Sequence, residues 1–285
     1  MRAKSIRTRS FSFRKFRLAS FEAGLFLLIL LYLFPFYIMV TQAFKTAPET
    51  LHYPLRLPST LYWDNIVQVW NLMKFDKVLW NTFYLTFLSV VGIAIVSGMC
   101  SFTIARRNTR GYGILYYAIV CGLLIPFYMT LSPLIKLMKD LNLMDNLTGL
   151  ALAYVGRGIP FTVFLYVGFI RNIPGEIAES AIMDGCSPNR LYWSIYFPML
   201  KHITSTSIIL NALWIWNDFL FPLLTLHLPD KRTIPLAQYV FYGSYGTQWN
   251  LAFASYLLSM LPLVAAYFFL QKNIVEGIAA GAVKG

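Results

Sequence analysis

Six runs of apolar residues, each too long for the interior of a soluble domain, decide what this chain can become. Residues 23–44 are the clearest case, since no charged side chain falls among them. A helix of about 20 apolar residues crosses the hydrocarbon core of a bilayer. Residues 79–105, 114–137, 147–170, 203–226 and 251–271 are of the same kind. In lipid every backbone N–H and C=O must find a partner within the segment, so a lone apolar span is a helix. The composition agrees: 58% of the 285 residues are hydrophobic and 13% charged, against about 25% charged in soluble domains. The expected fold is all-α, a polytopic membrane protein of six transmembrane helices.

Charge then orients the chain. An even number of spans puts both termini on one side, and basic loops stay in the cytoplasm. Arg2, Lys4, Arg7, Arg9, Arg14, Lys15 and Arg17 precede the first span, and Arg106, Arg107 and Arg110 surround the second turn. Both termini are therefore expected inside. Residues 1–22 form a basic cytoplasmic tail, 23–271 a transmembrane domain containing a cytoplasmic loop at 171–202, and 272–285 a C-terminal tail. The net charge of +12 is concentrated in the tail, where anionic lipid attracts it, and no RNA-binding aromatic motif accompanies it, so nucleic acid is not a partner. The first run exceeds the 7–15 apolar residues of a signal peptide and lacks a small-x-small cleavage site, so it reads as a retained span.

Several chemistries are excluded. Cys100, Cys121 and Cys186 form no C-x-x-C pair, which leaves no metal site. His52, His202 and His227 are scattered, and neither H-E-x-x-H nor G-x-S-x-G occurs, so no catalytic residues are assigned. A phosphate-binding G-x-x-x-x-G-K-[ST] loop is missing as well, so this chain needs no cofactor of its own, and any ATP and Mg must be bound by partners.

The long loop at 171–202 has internal design. Pro174 suits a first helical position, Glu176 and Glu179 suit the first turns, and Gly185 suits a left-handed stop. Ser187 then reads as an N-cap before Pro188, and Pro198 as a break. A helix-turn-helix at the membrane surface is expected, with Ile177, Ala181 and Ile182 on one face, turned towards either the membrane or another subunit.

The order Glu179-Ser180-Ala181-x-x-Asp184-Gly185-Cys186, followed by Ile195-x-Phe197-Pro198, resembles the EAA motif of ABC importer permeases, which reads E-A-A-x-x-D-G-A with a downstream I-x-L-P. Ser180, Cys186 and Phe197 depart from it. Residues 213–224, which contain Trp214, Trp216, Asn217 and Asp218, and the closing Gly277-x-x-x-Gly281-Ala282-Val283-Lys284-Gly285 are similar to carbohydrate-uptake permeases of the maltose-importer type. The resemblance implies a bacterial inner-membrane subunit that works with a second related permease, two cytoplasmic ATPase subunits, an extracytoplasmic solute-binding protein and an oligosaccharide. It also implies roles: Glu179, Ala181, Asp184, Gly185, Ile195 and Pro198 in coupling to the ATPase, Gly281 and Lys284 in a C-terminal ATPase contact, and Trp214, Trp216, Asn217 and Asp218 along the solute pathway. A secondary transporter or channel for a small polar solute would share the spans without needing the loop.

Arg157 is the single charge in the fourth run and stands where the family usually carries an apolar residue. A charge at that depth is costly unless paired or facing water. Two accounts remain: an ion pair with Asp218 that fastens two helices, or a guanidinium facing the pathway as a receptor for carboxylate, which makes the cargo an acidic oligosaccharide of the uronate type.

Overall fold

The computed structural model describes residues 6–107, 109–243 and 246–282. In chain order the helices are α1 (Ile6–Ala43), α2 (Ala47–His52), α3 (Asp64–Met73), α4 (Phe75–Arg106), α5 (Arg110–Cys121), α6 (Phe127–Asp140), α7 (Leu147–Ile170), α8 (Gly175–Met183), α9 (Pro188–Arg190), α10 (Phe197–Met199), α11 (Lys201–Trp216), α12 (Leu220–Thr225), α13 (Ile234–Gln238) and α14 (Trp249–Ala282). Short 3-10 turns and one antiparallel pair, Tyr242–Gly243 with Gly246–Thr247, complete the described residues.

Four of the expected spans are unbroken: Leu18–Ala43 within α1, α4, α7 and Trp249–Phe268 within α14. The third and fifth are not, and proline accounts for both. Proline lacks an N–H and pushes the residue before it out of the helical region. Ile125 accordingly has ψ 115°, Pro126 has ψ 127°, and α5 and α6 meet at a bend of 105°. In the fifth, Pro222 can give no hydrogen bond to the carbonyl of Asp218, and α11 stops at Trp216 before α12 resumes at Leu220. The Asp218 carboxylate, just before this restart, accepts from the N–H of Phe221 at 3.5 Å.

The chain divides into two compact units. One holds residues 1–71 and 241–260. Its first helix exposes an apolar surface from Leu18 to Phe36, as a lipid-facing span should. Beyond α1 a buried polar knot forms. Lys45 is fully buried, and its Nζ donates to the carbonyls of Tyr53 at 2.8 Å and Pro54 at 3.2 Å. Desolvation lowers its pKa below the ordinary lysine value, with Glu49 opposing the shift. Asn65 donates to the carbonyls of Ala43 and Lys45, and Asn250 donates to Asn65 Oδ1 at 2.8 Å. The side chains of Lys45, Asn65 and Asn250 thus each donate to an acceptor, as a dry interior demands.

The other unit holds residues 72–240 and 261–285. Here α4 lies along α7 by means of small residues. Val155 fills the space at Gly92, where a Cβ would come within 2.6 Å of its Cγ2, and Ile93 fills the space at Gly158 in the same way. Close approach through small residues is how helices associate where lipid removes the hydrophobic drive. The hydroxyls of Thr82 and Ser89, buried on α4, donate to carbonyls of their own helix at 2.8 and 2.6 Å and so carry no unmet polarity into the contact. Asn146 caps α7 through the N–H groups of Thr148 and Gly149.

Candidate functional site

The loop after α7 folds against the end of the second unit. Helix α8 closes with a Schellman motif: the N–H of Gly185 bonds to the carbonyl of Ile182 at 3.0 Å, and that of Cys186 to Ala181 at 2.9 Å. Gly185 has φ +78°, and a Cβ there would meet nothing within 4 Å. Ser187 Oγ then accepts from the N–H of Arg190 at 3.4 Å. The expected break falls two residues after Pro198, at Leu200, where α10 ends and α11 begins. Ahead of it Leu191–Tyr196 winds as a π-helix, with the N–H of Phe197 reaching the carbonyl of Tyr192. The widened turn carries the helix across a residue that cannot donate.

The apolar face of α8 is divided, which corrects the expected single stripe. Ala181 is buried and Ile177 half-buried against Tyr166, Tyr192 and Tyr196. Ile182 and Met183 point outward, Met183 being 88% exposed. Glu179, Asp184, Gly185 and Pro198 are exposed and Ile195 is half-buried in the same aromatic cluster. Neither the Glu179 nor the Asp184 carboxylate accepts a hydrogen bond among the described residues. The loop thus offers Ile182, Met183, Asp184 and Gly185 as a free tip, with Ala181 and Ile195 as its anchors.

A clamp the sequence did not single out holds these anchors. Arg106, at the end of α4, donates through Nη2 to the carbonyl of Ile173 at 2.9 Å and lies 4.7 Å from the centre of the Tyr196 ring. Its sequence signal was present, as one of the basic pair after the second run, but was read only for orientation. Tyr192 crosses α4 at Gly98, where a Cβ would collide with its hydroxyl. Burial pushes the Tyr192 phenol up to about 12, with Tyr166 adding to the shift, so it stays neutral.

A cavity of about 980 Å³ opens beside α6, α7 and α11, largely apolar, with Thr130, Tyr154, Arg157, Asn211 and Trp214 among its lining residues. The guanidinium of Arg157 lies 3.8 Å from the centre of the Phe127 ring and rests on the Trp214 indole. Tyr154 packs edge-on to Trp214 and Phe221. No close ion pair joins Arg157 to Asp218 among the described residues, and the carboxylate acts on the guanidinium only by longer-range Coulomb attraction. The Asp218 carboxylate instead accepts from the Tyr154 hydroxyl at 2.9 Å. Asn211 lines the same wall, its amide nitrogen donating to the Ser207 carbonyl at 2.9 Å. Of the other pathway candidates, Trp216 and Asn217 do not line this cavity, and the Asn217 amide donates to the Leu213 carbonyl at 2.7 Å. Gly281 lies in α14, while Lys284 falls outside the described residues.

Long apolar helices, two of them broken, and a structured loop ending in an exposed tip are the architecture of a polytopic membrane protein. Residues 90–279 match the model of the family described as binding-protein-dependent transport system inner membrane component, and the chain belongs to that family. It is 37% identical to the "Probable starch degradation products transport system permease protein AmyC" of Thermoanaerobacterium thermosulfurigenes, covering 90% of this chain and 93% of the relative. It is 34% identical to the multiple sugar-binding transport system permease protein MsmG of Streptococcus mutans, covering 90% and 93%. Among solved structures it is similar, at TM-score 0.77 and 20% identity over 95% of this chain and 99% of the other, to a chain of a bacterial ABC transporter involved in the import of the acidic polysaccharide alginate. This is a multi-pass plasma-membrane permease subunit of a binding-protein-dependent transport system.

Proposed function

We propose that this chain is one of two related permease subunits that carry an acidic oligosaccharide inward, the loop tip at Ile182–Gly185 receiving the closure of two cytoplasmic ATPase subunits. A binding protein outside delivers the cargo, and the tail from Gly281 to Lys284 reaches the ATPases from the cytoplasmic side. The observation that carries the cargo class is Arg157: a guanidinium on the wall of a large cavity, set against the rings of Phe127 and Trp214, with no carboxylate in ion-pair contact among the described residues. Ring contact holds a guanidinium without consuming its N–H donors, which stay available to a bidentate acceptor such as a sugar carboxylate. The aromatic rings beside it suit the apolar faces of a pyranose. The alginate importer shares the fold at low identity, so the proposal rests on Arg157 and not on that likeness.

Uptake by the complete importer of a uronate oligomer and a neutral oligosaccharide of equal length tests this. Wild type is expected to prefer the uronate, and Arg157→Gln to lose that preference by about tenfold or more, since a charge-assisted pair contributes roughly 1.5–3 kcal/mol. A wild-type preference for the neutral sugar, or an equal loss of both in the variant, would overturn the acidic assignment and leave a neutral-sugar permease.

A further inference from the structure

Two guanidinium groups at the basic edge of the second unit form no ion pair among the described residues. Arg107 ends α4 and Arg171 ends α7, and each rests on a tyrosine of α5. Arg107 lies 5.7 Å from the centre of the Tyr112 ring and donates to its hydroxyl at 3.2 Å, while Arg171 lies 5.2 Å from the centre of the Tyr116 ring. Tyr112 and Tyr116 are four residues apart, so the two rings sit on one face of α5 a helical turn from each other. Both arginines are exposed. The sequence places no Asp or Glu between Asp76 and Asp140 or between Asp145 and Glu176. The ion pairs of the described residues involve neither arginine. Arg106, next in the chain, is occupied with the Ile173 carbonyl, so the clamp on the loop does not use these two.

The surroundings say what kind of anion would fit. No side chain of α5 is buried in this chain, and Ile114, Leu115 and Tyr117 expose apolar surface directly beside the tyrosines. A free phosphate has no use for that surface, whereas an acyl chain does. Arg171 and Arg107 also belong to the side that the basic residues assign to the cytoplasm, where anionic lipid is enriched. Tyrosine is at home at this depth, with an apolar ring and a wet hydroxyl.

We propose that Arg107 and Arg171, held on Tyr112 and Tyr116, form a binding site for the phosphate of an anionic phospholipid whose acyl chains lie along α5. Both guanidiniums donate N–H groups to the headgroup oxygens, and their contact with tyrosine fixes them in advance, so little side-chain entropy is lost on binding. The site would tie the ends of α4 and α7 to the membrane surface next to the point where the loop begins.

The test is native mass spectrometry of the complete importer titrated with phosphatidylglycerol, phosphatidylcholine and inorganic phosphate. Wild type is expected to retain phosphatidylglycerol in preference to phosphatidylcholine. Arg107→Gln with Arg171→Gln is expected to weaken that retention by about fivefold for each guanidinium removed, while Lys at both positions keeps most of it. Arg56→Gln, an exposed arginine elsewhere, is expected to change nothing. Equal phosphatidylglycerol retention by wild type and the double Gln variant would overturn the proposal. So would inorganic phosphate competing as well as the lipid, which marks a soluble-anion site. Loss of the ATPase subunits from the double Gln variant with lipid retention intact would also overturn it, since the pair then faces protein.

Discussion

Gly185 is an exposed point at which a single added methyl can strain the loop. Its φ of +78° lies in the left-handed region, where an L side chain costs about 1–2 kcal/mol. Because a Cβ would touch nothing within 4 Å, the strain is purely of the backbone, with no clash inside the chain to add to it. Gly185→Ala should therefore cost about 1 kcal/mol and depopulate the Schellman turn about fivefold, Gly185→Val more, and Gly185→Asn least, since Asn visits this region readily. The assay is uptake per inserted copy, with insertion measured separately by protease protection. The expected order is Gly, Asn, Ala, Val. Wild-type uptake in the Ala and Val variants would show that the turn does not matter, and an Asn variant as poor as Val would show that bulk against a partner, and not backbone strain, is what counts.

Three other outcomes follow from particular contacts. Gly98→Ala sets a methyl against the Tyr192 hydroxyl and should loosen the docking of the loop on α4, seen as faster proteolysis between α8 and α11 with the spans intact; replacing Tyr192 by Phe in the same chain should restore much of the protection. Tyr154→Phe leaves the Asp218 carboxylate without the hydroxyl that bonds it at 2.9 Å and should cost about 1–3 kcal/mol in thermal stability of the detergent-solubilised importer, while Asp218→Asn should cost less. Asp145 accepts from the backbone N–H groups of His227 and Leu228, and these bonds hold its carboxyl below the usual carboxylate range. Its own titration thus contributes fully above about pH 4 and is lost as pH falls through the lowered value, so this carboxyl stays ionised from pH 6 to 8. Asp145→Asn should remove that acid limb of the melting profile, and an unchanged profile would contradict the assignment.

How much of this was legible beforehand depended on what each signal measures. Apolar length found the membrane segments but not the breaks at Pro126 and before Pro222, because Pro133, Pro160 and Pro262 lie inside helices that continue. Whether a proline breaks a helix depends on neighbours that can satisfy the freed carbonyl, and these are tertiary. In the loop, Gly185 and Ser187 were readable because a left-handed stop and an N-cap are local requirements. Which side of α8 faces inward was not, since Tyr192 and Tyr196, which cover Ala181, come from a later turn. Asp218 was a reasonable partner for Arg157 by depth, but Tyr154 takes that carboxylate, and a phenol on a neighbouring turn gives no charge signal to read. The lipid-edge arginines entered only as topology markers, because a positive-inside count carries no information about what lies next to each charge.

The central claim is that the exposed tip of the loop meets an ATPase, and Met183, 88% exposed on that tip, tests it directly. Met183→Cys, placed in the importer after the native cysteines are replaced, is treated in membranes with a short thiol-to-amine cross-linker, with and without nucleotide. The account predicts a cross-linked species of this chain with the ATPase subunit, formed at the loop and not by a control cysteine at Ser205, whose yield changes with nucleotide. A tip that cross-links to nothing, or only to lipid amines, would contradict it.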